Sequence, residues 1–183
     1  MPINKVTQII IHHSGGTDLD PLADSSNYTF GQCNEDHRIK FNFISSLGYY
    51  VGYHYFIAKD GSIKQGRADM DEGAHTIGQN SNSLSVCLAG NFDRTMPTPA
   101  QISTLKVFLM AKMGQYNIPK ERIVPHRKFA TKTCYGNRLA DSWARNLVGS
   151  IAPTPSPVMS NAQIIAKAEA LIAEAMALLS QLK

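Results

Sequence analysis

Ile123-Val124-Pro125-His126-Arg127-Lys128-Phe129-Ala130-Thr131-Lys132-Thr133-Cys134 places a histidine eight residues before a cysteine, with a lysine two before that cysteine. Imidazole nitrogen and thiolate sulfur are preferred protein ligands of Zn²⁺. Pro125 ahead of the histidine and Gly136 two residues past the cysteine point to a rigid, irregular loop rather than a helix. The pair lacks the tight C-x₂-C spacing of structural zinc sites, so a third ligand has to come from elsewhere. Ile9-Ile10-Ile11-His12-His13-Ser14 is the obvious donor. Residues 6–11 are short, β-branched and continuously apolar toward their end, the signature of a buried strand that delivers both histidines to its C-terminal edge. Side chains alternate across a strand, so His12 and His13 face opposite ways and only one reaches a metal. Three ligands from two distant segments leave a fourth position for water, which is the layout of a catalytic zinc.

Between these ends the chain alternates strand and helix patterns. Residues 49–58 read as a strand with Val51, Tyr53, Tyr55 and Ile57 on one face, turning at Asp60-Gly61 into a second strand over 62–65. Residues 84–89 read as a central strand in which Cys87 is a buried small hydrophobe. Thr98-Pro99-Ala100-Gln101 is a capping box with proline at the first helical position. The helix after it buries Ile102, Leu105, Phe108, Leu109 and Met113 at helical spacing, and that face is core. Ile39, Phe43 and Leu47, four apart, predict a helix from near Glu35 closed by Gly48. Residues 17–34 and 68–82 read as loops, the second carrying His75, and residues 139–148 as a final helix packing Trp143 and Leu147. The fold class is α/β, a mixed central sheet with helices on its faces.

Several short motifs then fall in one order: Gly52-Tyr53-His54-Tyr55, Lys59-Asp60-Gly61-Ser62-Ile63, Gly66-Arg67, Gly73-Ala74-His75, Asn80-Ser81-Asn82-Ser83 and Val86-Cys87-Leu88-Ala89-Gly90. With the His126/Lys132/Cys134 loop, this series resembles the zinc-dependent N-acetylmuramoyl-L-alanine amidases over residues 6–148. That family includes small phage lysozymes with amidase activity and the animal peptidoglycan recognition proteins. The resemblance implies that Zn²⁺ is held by His12, His126 and Cys134, and it selects His12 over His13. It also implies that Tyr53 points its hydroxyl towards the reacting water and that Lys132 is the catalytic lysine. His75 and Asn80 would border the substrate, and His54 is expected to be packed structurally. The implied substrate is peptidoglycan, cut at the amide between N-acetylmuramic acid and L-alanine. A peptidoglycan-binding module without activity is the alternative from another class, but retention of all three ligands, Tyr53 and Lys132 argues for an enzyme. One departure stands out: Tyr135-Gly136 follows Cys134, where relatives commonly have a proline.

Composition narrows the rest. The 183 residues are 43% hydrophobic, enough for one substantial core with room for a small appendage. A net charge of +4 is mild; it favours an anionic polymer such as cell wall, whereas scattered Arg and Lys argue against nucleic acid. Three cysteines without a secretory signal argue against a disulfide framework; Cys33 sits in a polar stretch with no evident role. With neither a signal-peptide core nor a membrane-spanning run, the expectation is a product made in the cytoplasm. It acts on the cell wall if it is a phage or prophage lysin; a host muropeptide-recycling amidase is the alternative. The domain reading is a catalytic domain over 1–149, a Pro/Ser linker over 150–160 with Pro153, Pro155 and Pro157, and an amphipathic helix over 161–183. Ile165, Ile172 and Leu179 lead three apolar heptad series there, predicting a homo-oligomer through that helix.

Overall fold

The computed structural model describes residues 5–17 and 19–149. The 150–160 linker and the 161–183 helix lie outside the described residues.

Five strands form one sheet in the order β3-β2-β4-β1-β5. They are β1 (Gln8–His13), β2 (Tyr55–Ile57), β3 (Ile63–Gln65), β4 (Ser83–Leu88) and β5 (Ile123–Pro125). β1, β2, β4 and β5 run parallel and only the edge strand β3 is antiparallel, joined to β2 through the turn at Gly61. Strands β1 and β4 are buried along their whole length, as central strands covered on both faces must be.

The two faces differ in character. On one, Ile9, Ile11, Leu84, Val86 and Leu88 pack against Leu105, Phe108 and Leu109 of helix α2 (Pro99–Tyr116). Helix α2 begins in the expected capping box, with Thr98 Oγ1 accepting from the Gln101 N–H. On the other face, Phe56, Cys87 and Ala89 meet Val51 and Cys33, with Tyr53 at the margin. Cys33 belongs to helix α1 (Phe30–Phe41). This second face also carries buried polar groups, Gln8, His12, Ser83 and Ser85. The site forms there.

Three sequence expectations are corrected. Helix α1 starts at Phe30, not near Glu35, because Thr29 and Gln32 form a capping box, and it stops at Asn42 in the left-handed conformation. The Ile39/Phe43/Leu47 spacing therefore straddles the helix end, and Ile39 is 72% exposed. Second, the strand expected over 49–58 is only Tyr55–Ile57. Its earlier backbone donors go to side chains instead of a neighbouring strand: Tyr49 N–H to Ser45 Oγ, Tyr50 N–H to Asn34 Oδ1, Gly52 N–H to His37 Nδ1 and His54 N–H to Ser85 Oγ. Val51 and Tyr53 consequently join the α1 face, while Tyr55 and Ile57 join the α2 face. Third, the final helix is a single turn, α3 (Trp143–Asn146), although Trp143 and Leu147 pack against the core as expected.

Gly52 marks where two loops touch backbone to backbone. The Ala74 N–H donates to its carbonyl, and a Cβ at Gly52 would lie 2.2 Å from the Ala74 oxygen.

Candidate metal centre

Parallel pairing of β1 with β5 sets Ile11 opposite Pro125, so His12 and His126 leave adjacent strands side by side. Their ring centroids are 4.4 Å apart. The loop after β5 brings Cys134 back, with its Sγ 3.7 Å from His12 Nδ1. His12, His126 and Cys134 each present one ligand atom, all within 4.8 Å of one another. Among the described residues no other group of His, Cys, Asp or Glu side chains gathers in this way. The trio sits outside the carboxyl ends of parallel strands, where open α/β sheets bind ligands.

His13, on the opposite face of β1, plays a different part. Its Nδ1 accepts the Phe92 N–H at 3.0 Å, and its backbone N–H donates to Cys134 Sγ at 3.4 Å. The same loop is tied down by Asp93, whose carboxylate accepts from Thr133 Oγ1 and the Asn137 N–H. Tyr135 fills the place of the expected proline by burying its ring in the core and donating its hydroxyl to the Ala140 and Asp141 carbonyls.

Electrostatics favour a neutral, ligating trio. Burial, reinforced by the neighbouring His75 and His126, holds His12 well below the ordinary histidine range. Burial, with Lys132 adding to it, lowers His126 to about 4. Both imidazoles are unprotonated near neutral pH, as metal ligation requires. Burial pushes the Cys134 thiol up to about 12 against the opposing pull of the His13 N–H and Lys132. A cation placed among the three would reverse that, since a coordinating thiol is deprotonated outright. The donor set of two imidazoles and one thiol, with no fourth protein ligand gathered among the described residues, fits Zn²⁺ with an open position.

Around the trio, Tyr53 lies with its ring 4.9 Å from that of His12 and 5.2 Å from that of His37. Burial raises the Tyr53 phenol well above 10, so its hydroxyl stays a donor. Lys132 is exposed, and its charge is felt by both His126 and Cys134. His75 Nδ1 is 3.2 Å from His12 Nε2, and Asn80 Oδ1 accepts the N–H groups of His75 and Thr76.

The sequence matches the N-acetylmuramoyl-L-alanine amidase family (Amidase_2) over residues 2–137. The chain belongs to that family. It is similar to the Endolysin of Escherichia phage T7, 36% identical over 101 residues that make up 52% of this chain and 66% of the relative. The matched part thus spans just under two thirds of that curated relative's length. Among solved structures it is similar to N-acetylmuramoyl-L-alanine amidase LysC from Clostridium intestinale URNW, at 25% identity and a TM-score of 0.61, covering 79% of this chain and 85% of that one. Drosophila PGRP-LB shares the fold at 22% identity and a TM-score of 0.60, over 75% and 79% of the two chains.

In this amidase-family protein His12, His126 and Cys134 are brought together, Tyr53 and His75 lie against His12, and Asn80 holds the His75 backbone, while His54 is set apart from the trio. His54 is fully buried, bonded at one nitrogen to Ser85 Oγ and at the other to the Asp71 carbonyl. Three participants carried no sequence signal. His37 reaches the Tyr53 turn from helix α1, Asp93 anchors the cysteine loop, and Thr76 lies 3.5 Å from His12 Nε2.

Proposed function

We propose that this chain is a zinc-dependent N-acetylmuramoyl-L-alanine amidase that cuts peptidoglycan between N-acetylmuramic acid and L-alanine. The observation that carries the reading is the His12/His126/Cys134 cluster, formed in a member of the amidase family. A zinc ion held there supplies Lewis acidity, polarising the scissile carbonyl and making water acidic enough to attack near neutral pH.

The remaining work falls to side chains of this chain. His12 and His126 contribute neutral nitrogens and Cys134 a thiolate steadied by the His13 N–H. Tyr53, kept protonated, donates a hydrogen bond to the attacking water or to the oxygen that gains charge. Lys132 contributes positive charge to the same oxygen, and such stabilisation is worth on the order of 3 kcal/mol where one donor has been removed. His75 and Asn80 frame the substrate's edge, Asn80 through the oxygen that holds the His75 and Thr76 backbone.

The likeness to phage endolysins supports a wall-directed lytic role, in which the protein is made in the cytoplasm and reaches peptidoglycan at lysis. Residues 1–149 would carry catalysis, with 150–160 a linker and 161–183 a self-associating helix. Purified cell wall incubated with the protein should release new L-alanine amino termini. A strong chelator should abolish that release and added Zn²⁺ restore it. Binding to wall without new termini would instead identify a recognition module.

A further inference from the structure

A chain of polar atoms runs from a backbone carbonyl to the metal centre, and its direction is fixed at the far end. Ser83 Oγ donates to the Gln79 carbonyl at 2.6 Å, and a carbonyl can only accept. With its proton spent, the Ser83 oxygen is left to accept from His75 Nε2, 3.4 Å away. A neutral imidazole protonated at Nε2 offers a lone pair at Nδ1. That Nδ1 faces His12 Nε2 at 3.2 Å and Thr76 Oγ1 at 2.9 Å. His12 must then carry its proton on Nε2. Thr76 Oγ1, 3.5 Å from His12 Nε2, fits the same polarity: it accepts from His12, while its own proton shares the one Nδ1 lone pair of His75 with the His12 N–H. The lone pair of His12 is thereby placed on Nδ1, the nitrogen 3.7 Å from Cys134 Sγ.

We propose that His75 is a positioning residue whose Nδ1 lone pair, polarised through Ser83 and the Gln79 carbonyl, locks His12 in the tautomer that ligates metal through Nδ1. The opposite tautomer would require Ser83 to give up its 2.6 Å bond to the carbonyl and turn its proton towards His75. Metal-ligating histidines ordinarily rest their second nitrogen on a carboxylate, carbonyl or water. Here a second histidine and a threonine, both held by Asn80 through their backbone N–H groups, take that place. Both ring nitrogens of His75 are engaged inside the protein, so what it offers at the substrate's edge is shape rather than a hydrogen bond. The inference rests on His12 being a metal ligand, as in the proposed function.

Zn²⁺ affinity, measured by competition with a chromophoric chelator, tests it without recourse to activity. Stoichiometric Zn²⁺ binding by the wild-type protein stands or falls with the metal reading alone. Given that binding, His75→Leu should weaken affinity by about 10–100-fold, the usual cost of losing such a partner. His75→Asn, whose Oδ1 lies near the position of Nδ1 and can accept from His12, should recover most of it. His75→Gln, which mimics Nε2 and not Nδ1, should not. Leu and wild type binding equally, or Asn falling as far as Leu, would overturn the proposal. The measurement that needs no variant is ¹⁵N NMR of the imidazoles in metal-free wild-type protein. His12 should appear as the Nε2–H tautomer, and an Nδ1–H tautomer would overturn the proposal outright.

Discussion

His12 and His126 stand side by side, with ring centroids 4.4 Å apart, because Ile11 and Pro125 are register partners in adjacent parallel strands. One residue of slip in that pairing would part the two imidazoles and turn one of them to the α2 face. The candidate metal centre therefore depends on the same hydrogen-bond ladder that closes the core.

The opposed roles of His12 and His13 give the first prediction. His12→Ala, His126→Ala and Cys134→Ser should each lose tight Zn²⁺ binding and wall-cleaving activity. His13→Ala should keep the metal, because what reaches Cys134 is its backbone N–H. It should still lose stability, by roughly 1–3 kcal/mol, since the buried Phe92 N–H is left without its acceptor. Metal content and unfolding midpoints of the four proteins check this. A metal-free His13→Ala beside a metal-loaded His12→Ala would reverse the assignment.

Tyr53→Phe and Lys132→Ala should retain stoichiometric zinc and lower kcat by about 10–1,000-fold with little change in KM, the pattern of an interaction made in the transition state. Steady-state kinetics on a soluble muropeptide separate the two constants. Undiminished turnover in Lys132→Ala would return that residue to the solvated surface.

Acid should unfold the metal-free protein through its buried histidines. Burial holds His37 and His54 at about 4, below the ~6.5 expected in the unfolded chain. Between those values the unfolded state binds more protons, so stability rises with pH there. The contribution is fully present above pH ~6.5 and is lost as pH falls towards about 4, at up to roughly 3 kcal/mol for each histidine. Thermal unfolding in chelator across that window should show a falling midpoint. A level one would contradict neutral burial of both rings.

The apolar heptads of residues 161–183 predict self-association. Light scattering during size exclusion should find the full chain larger than a monomer and a 1–152 truncation monomeric. If both are monomers, vesicle leakage becomes the informative assay, because a membrane-disrupting helix is the remaining use for such a face.

Much of this was legible in the sequence, and the limits were physical. The candidate trio could be read because imidazole and thiol are type-specific metal ligands, and the structure brings His12, His126 and Cys134 together. Strand β4 and helix α2 could be read because their apolar periods and the Thr98 box agree. Helix α1 was misplaced although Thr29-x-x-Gln32 is itself a capping signal; the apolar spacing at Ile39, Phe43 and Leu47 pointed elsewhere, and those residues turned out exposed. Tyr53 was put in a strand because its alternation is correct, and alternation says nothing of whether the backbone donors meet another strand or a side chain. His37, Thr76 and Asp93 were invisible because their partners lie 15, 64 and 40 residues away. Only the fold brings those pairs together.

Gly52 sets how far the site can be altered without touching any group that does chemistry. It joins the segment that ends in Tyr53 to the segment that ends in His75, with the Ala74 oxygen where a side chain would begin and His37 Nδ1 3.1 Å from that point. A single methyl group there would wedge the two walls of the cleft apart, moving a proton donor and a ligand's support in opposite directions. At Gly52 it is thus an added atom, not a lost one, that would disturb the site.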